Sequence, residues 1–326
     1  MDADGAEVRR QKTPFVVLTG FLGAGKTSAI NRVLQSGPTK RVAFIVNELG
    51  RIDIDARLLR ERSGDVVEIA GGCVCHEVRT QEELWEGLGE ITRRSNPDIV
   101  VLETTGIAEP GAILEGLALL PDERRHVRSA GVITVVDAEM GVQQLERFAE
   151  ARHQVQEADR ILLSKLDRTS AAGLAEVHDR LQTMNPAAER VAFPAGPEGD
   201  AELAAWMLDV RNARVRVHRN HAHEHGQLVA VSVADDVPLV ETPLRAFLAR
   251  FGPELVRMKG FVRLAGEERP WFLERAGAQT LLSPFHGATP VFRTEIVFIG
   301  EGLDAAAIRR QLWACRAEQE ARPWTT

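Results

Sequence analysis

Sulfur is scarce in this chain: three cysteines, Cys73, Cys75 and Cys315, in 326 residues. So few, in odd number, exclude a disulfide framework and fit a compartment that keeps thiols reduced. No apolar run approaches the roughly 20 residues that cross a bilayer, so no membrane partner is expected. Residues 1–12 are charged and lack the apolar segment of a secretory signal. They read as a disordered N-terminus, and the protein as cytoplasmic. Positive charge is not in excess either. The formal net charge is −7, which argues against nucleic acid as a partner. Apolar residues are present in ordinary measure, 44%, enough for full cores in a chain long enough for two domains.

Apolar, β-branched runs at 15–19, 41–46, 66–70, 98–102, 130–136, 160–163 and 190–193 read as strands. Segments 28–34, 81–93 and 170–183 read as helices between them. The alternation predicts an α/β fold, a doubly wound and mostly parallel sheet over residues 13–214, whose ligands sit at the carboxyl ends of the strands. Residues 215–227 are polar and rich in histidine, and read as a flexible linker. Strand patterns at 228–233, 261–264, 271–273 and 295–299, with helices at 243–250 and 305–314, predict a smaller C-terminal α+β domain over 228–326.

The most informative segment is Gly20-Phe21-Leu22-Gly23-Ala24-Gly25-Lys26-Thr27, which fits G-x-x-x-x-G-K-[S/T] between a strand and a helix. This makes the sheet one of the P-loop NTPase type. A glycine-bearing turn at a helix N-terminus aims backbone N–H groups at an anion. Gly20, Gly23, Ala24, Gly25, Lys26, Thr27 and Ser28 are therefore the candidate phosphate-binding residues. Lys26 is expected to reach the β- and γ-phosphates, and Thr27 to bind the Mg2+ that bridges them. Such a site needs an acidic partner for the metal and its water, and Glu103, ending the run 99–102, is the candidate. Gly106 behind it suggests a loop free to move near the γ-phosphate. Further on, Ser164-Lys165-Leu166-Asp167 resembles the N-K-x-D signature of guanine-specific nucleotidases, with serine in place of asparagine. A carboxylate at Asp167 accepts from the ring N–H and amine of guanine and leaves adenine mismatched.

Four further features carry competing readings. Cys73, Cys75 and His76, behind Gly71-Gly72, suit zinc, cobalt, nickel or cuprous ion, or are two small buried hydrophobes beside a surface histidine. His218, His221, His223 and His225 are either an auxiliary arm that captures metal or a solvated linker. The basic cluster at 123–128 reads as a solvated helix end. Asp137, ending the run 130–136, is strand-terminal and faces the nucleotide pocket in one reading.

Taken in order, residues 20–27, Asn47-Glu48-Leu49-Gly50, residues 71–75, 103–106, 135–138 and 164–167 resemble the CobW-type metal-handling GTPases, relatives of the hydrogenase and urease nickel-insertion GTPases. Met258-Lys259-Gly260 and residues 296–300 extend the resemblance into the second domain. It implies a GTP-hydrolysing metallochaperone. A slow intrinsic rate is expected, because no arginine finger is evident in the sequence. Glu48 would lie in the first switch segment. The Cys-x-Cys-Cys metal motif carries over to Cys73 and Cys75, with His76 at the third position and zinc or cobalt as the metal. The implied partners are GTP and a client metalloprotein or cofactor-synthesis enzyme, and relatives in the nickel branch often pair across the nucleotide. Two other readings stand beside it: a P-loop kinase of a small metabolite, with Arg124, Arg125 and Arg128 as a phosphate-clamping lid, and a non-enzymatic metal sensor or buffer.

Overall fold

The computed structural model describes residues 12–47, 66–69, 78–194, 196–210, 228–276, 279–286 and 293–317. Its centre is β1 (Thr13–Thr19), whose last five residues are all buried. A strand with apolar side chains on both faces is stable only between two layers of helix. β1 accordingly lies inside a seven-stranded sheet with β2 (Val42–Asn47), β3 (Val66–Ile69), β4 (Ile99–Glu103), β5 (Val127–Asp137), β6 (Arg160–Ser164) and β7 (Glu189–Ala192). The order is β3-β2-β4-β1-β5-β6-β7, and every pairing is parallel.

The helices are α1 (Lys26–Gln35), α2 (Val78–Ser95), α3 (Pro110–Leu119), α4 (Gly141–Arg147), α5 (Ala149–Gln156), α6 (Ala171–Met184) and α7 (Asp200–Met207). Alternate residues of β1 divide between two cores. Val16 and Leu18 pack with Ile30 and Val33 of α1 and Leu203 and Met207 of α7. Phe15 and Val17 pack with Leu84 and Leu88 of α2 and Ile113 of α3. This is the doubly wound arrangement predicted from sequence. Each such side chain removed from water contributes about 1.5–3 kcal/mol.

The second sheet is antiparallel, in the order β11-β10-β9-β12-β8. It is built from β8 (Leu228–Asp235), β9 (Leu255–Val262), β10 (Trp271–Ala276), β11 (Gln279–Pro284) and β12 (Thr294–Glu301), with α8 (Glu241–Leu248) and α9 (Ala305–Trp313). One face packs against both helices through Met258, Val262, Ile296 and Phe298. The other presents Phe261, Val297 and Ile299 to Phe21 and Leu22, so the second sheet rests on the phosphate-loop end of the first domain.

Several elements depart from the sequence reading. β9 begins six residues earlier than the expected strand at 261–264, because Gly260 is tolerated inside it. A Cβ there would stand 2.3 Å from the carbonyl oxygen of Glu295, so only a bare Cα lets β9 and β12 pair at this distance. β11 went unrecognised because it is a mostly exposed strand with little apolar alternation. The basic cluster is not a helix end. Residues 122–124 form a turn, Arg125 donates to the carbonyls of Ala118 and Leu120 at the end of α3, and Val127 and Arg128 open β5. The expected linker at 215–227 falls wholly outside the described residues.

Gly20 gives the clearest local constraint. Its φ is 143°, and a Cβ would lie 2.3 Å from the carbonyl oxygen of Val135 on β5. Gly20→Ala combines backbone strain with a clash against a buried strand, and should lower stability by roughly 3 kcal/mol or more. Urea denaturation will show this as a lower midpoint at unchanged slope; an unshifted midpoint contradicts it.

Candidate functional site

Three strands of the parallel sheet end in polar residues beside the phosphate loop: β4 in Glu103, β5 in Asp137 and β6 in Ser164. β4 and β5 are the two neighbours of β1, and Leu18 stands opposite Glu103 in the register. The sheet thus delivers an acidic residue next to the loop, where ligands of such folds bind.

The loop takes a tight path, with φ of 78° at Gly23 and 102° at Gly25, the residue before α1. Lys26 is buried, and its ammonium donates to the carbonyls of Gly20 at 2.6 Å and Phe21 at 3.4 Å. Thr27 donates its hydroxyl to Oε1 of Glu103 at 2.8 Å. The other carboxylate oxygen, Oε2, is buried with no hydrogen-bond partner among the described residues. A carboxylate with one free oxygen, next to a threonine hydroxyl at the N-terminus of a helix, is a donor set suited to a hard divalent cation and its water. Thr27 and Glu103 therefore fit Mg2+.

Burial governs the electrostatics. It pushes the Lys26 ammonium down to about 7, with attraction from Glu103 opposing and repulsion from Arg257 and Lys259 adding to the effect. Burial raises Glu103 above the usual carboxylate range, while Lys26, the Thr27 hydroxyl and Arg257 act against the rise. Each charge is unfavourable in this dry place, and an anion with a bound cation would relieve both.

Ser164 occupies the position where N-K-x-D has asparagine. Its hydroxyl donates to the carbonyl of Ala24 at 2.6 Å, tying β6 to the phosphate loop. Lys165 adopts a left-handed φ of 54° and pairs with Asp137 at 2.6 Å. The other oxygen of Asp137 accepts the backbone N–H groups of Glu139 and Met140. Asp137 lines a cleft of about 930 Å³ between the phosphate loop, α4 and the second domain, and its hydrogen bonds make it an anchor for Lys165. Asp167 is exposed in a 3₁₀ turn, Leu166–Arg168. Ser28 is exposed on the first turn of α1.

Gly106 has a packing role that the sequence reading did not foresee. A Cβ there would meet the Cα of Leu22 at 2.8 Å, so its bareness lets the segment after β4 lie against the phosphate loop. Sequence reasoning also missed Gln154 of α5. Its side-chain amide is buried and donates to the carbonyls of Gly106 at 3.2 Å and Ala108 at 3.0 Å. The only signal for it was a polar residue on the inner face of a helix.

The arginines proposed as a kinase lid are misplaced for that task. They cluster at the amino end of β5, whose carboxyl end is Asp137. Eleven residues of strand span roughly 35 Å, so Arg124, Arg125 and Arg128 stand far from the phosphate loop. Glu48, Cys73, Cys75, His76 and the linker histidines His218, His221, His223 and His225 lie outside the described residues. Among the described residues no group of three or more metal-ligating side chains occurs, and no helix is long and apolar enough to cross a membrane.

Comparison with known proteins agrees with these observations. Residues 14–192 match the CobW/HypB/UreG nucleotide-binding domain, and residues 228–316 match the cobalamin synthesis protein cobW C-terminal domain. The chain is 30% identical to the zinc chaperone CobW of Pseudomonas aeruginosa, over 92% of this chain and 91% of that protein. It is 30% identical to the zinc chaperone YjiA of Escherichia coli, over 90% and 95% respectively. The crystal structure of Zn(II)-bound YjiA GTPase from E. coli superposes with a TM-score of 0.43 at 23% identity, covering 94% of this chain and all of that one.

Proposed function

This chain belongs to the CobW/HypB/UreG family, and we propose that it is a GTP-hydrolysing metallochaperone with a nucleotide-gated metal site. The observation that carries the reading is the Thr27–Glu103 pair, 2.8 Å apart beside the buried Lys26. Phosphoryl transfer asks a protein mainly for position and charge, and this constellation supplies both. The loop backbone and Lys26 hold the β- and γ-phosphates. Thr27 and Glu103 hold Mg2+, which when bound neutralises charge on the phosphate oxygens. Glu103 keeps the cation's water in place, and Ser164 holds the loop in its binding shape.

Guanine recognition is assigned to Asp167, with the stem of Lys165 over the base. Loss of a hydrogen bond to a charged group costs about 1.5–3 kcal/mol, or roughly 10- to 100-fold. Asp167→Ala should therefore reduce the preference for GTP over ATP by that factor in competition binding. An unchanged ratio would remove Asp167 from the recognition site.

The cargo ion is assigned to Cys73 and Cys75, with His76 as third ligand and Glu48 joining in the GTP state. Thiolate and imidazole suit zinc or cobalt, and the relatives named zinc chaperones favour zinc. Purified protein should release phosphate from GTP without any phosphorylated acceptor and retain about one zinc per chain in the presence of a GTP analogue. Neither phosphate release nor retained metal would leave the reading without support.

A further inference from the structure

The second sheet turns a charged stretch toward the phosphate loop. Along β9, Leu255, Met258 and Val262 belong to the interior shared with α8 and α9. Phe261 lies on the opposite face, against Phe21 and Leu22. Pairing with β12 slips by one residue: Ile299 stands opposite Arg257 and Gly300 opposite Leu255, so Val256 is unmatched. Such a bulge re-aims the side chains that follow it. Val256 packs with the cluster that contains Phe21. Beyond the bulge the period of two brings Arg257, Lys259 and Phe261 to that same face. Lys259 is 7% exposed, with its ammonium 5.7 Å from the centre of the Phe272 ring.

Both cations are felt at the site. Arg257 and Lys259 each repel the charge of Lys26, and Arg257 also attracts that of Glu103. Lys26 and Lys259 are buried and Arg257 is half-buried; like charges gathered on one site are unfavourable until a multiply charged anion comes between them. Arg257 acts on both Lys26 and Glu103, the residues that flank the γ-phosphate and its metal in the reading above. A guanidinium also matches the geometry of phosphate oxygens better than an ammonium does.

We propose that Arg257, backed by Lys259, contacts the terminal phosphoryl group of the bound triphosphate: an arginine supplied in cis by the second domain. This rests on the reading of the site as a GTPase. In the step it serves, the oxygen of water forms a bond to the γ-phosphorus. The bridging oxygen leaves with GDP, keeping the electrons of the broken bond, and the protons of the water go to phosphate and solvent. Arg257 offsets the charge on the γ-phosphoryl oxygens as that bond loosens. The second domain is then part of the hydrolytic site.

The test uses the full-length chain and three variants, Arg257→Ala, the closer mimic Arg257→Gln and the charge-retaining Arg257→Lys. Fluorescent GDP binding checks folding and the nucleotide site together. Arginine fingers are worth about 10³–10⁵ in rate. With Lys259 still present, we expect single-turnover hydrolysis to fall on the order of 100-fold in Arg257→Ala and Arg257→Gln, and Arg257→Lys to regain about tenfold of it. Affinity for a non-hydrolysable GTP analogue should weaken about tenfold, and GDP affinity should stay within about twofold. Hydrolysis within threefold of wild type, or equal losses for GDP and the analogue, would overturn the assignment. If the wild-type chain itself neither binds nor hydrolyses GTP, the GTPase reading fails first, and that result differs from an active wild type whose Arg257 variants are equally active.

Discussion

Replacing Lys26 with alanine should lower GTP hydrolysis on the order of 1000-fold. The side chain is buried, and desolvation pushes its ammonium down to about 7, a cost that an adjacent triphosphate relieves. Its hydrogen bonds go to the loop's own carbonyls, Gly20 at 2.6 Å and Phe21 at 3.4 Å. An incoming triphosphate replaces these neutral acceptors with charged ones, and charge-assisted hydrogen bonds are about twice as strong. Removing one preorganised donor from a water-excluded site costs roughly 10²–10³ in rate, and Lys26 also contributes a full charge. Phosphate release under single-turnover conditions is the measurement, with circular dichroism to verify folding. A rate within threefold of wild type would mean that hydrolysis occurs elsewhere or by another means.

The second large effect concerns the cargo ion. If nucleotide gates its site, the GTP-analogue form should bind zinc about 100-fold more tightly than the GDP form, a coupling of about 2.7 kcal/mol. Metal must then tighten binding of the analogue by the same factor. In the proposed reading that coupling comes from one added carboxylate ligand, Glu48, joining Cys73 and Cys75 in the GTP state. The double change Cys73→Ser and Cys75→Ser should weaken zinc on the order of 1000-fold, since complete four-ligand zinc sites are worth about 10–16 kcal/mol, and should spare GDP binding. Competition titrations against a chromophoric chelator in both nucleotide states test all three expectations. Equal zinc affinities in the two states would end the gating idea, and intact affinity in the double variant would end the ligand assignment.

What could be read from sequence had a local cause. β1 and β4 are uninterrupted apolar runs because both of their faces are covered, so their patterns are strong. The phosphate loop, Glu103 and Ser164 were legible because each follows directly on such a run. α3 was not assigned, since Pro110–Leu119 is apolar on most sides and offers no clear stripe. The start of β9 was hidden by Arg257, Lys259 and Gly260, charged or bare positions that interrupt its apolar pattern. Gln154 and the roles of Gly106 and Asp137 depend on which distant segments meet, and no local pattern encodes that. The thiol and histidine readings concern residues outside those described and stand as proposals.

The octapeptide leaves four of its positions open to any residue, yet two of them here are spoken for. Phe21 stacks on Phe148 with ring centres 4.6 Å apart, and with Leu22 it is embedded among Phe261, Val297 and Ile299. The backbone of this stretch curls around the phosphate site while its side chains form a plug in a socket made by the other sheet. A smaller or polar residue at either position would therefore loosen the seat of the second sheet as well as the loop itself.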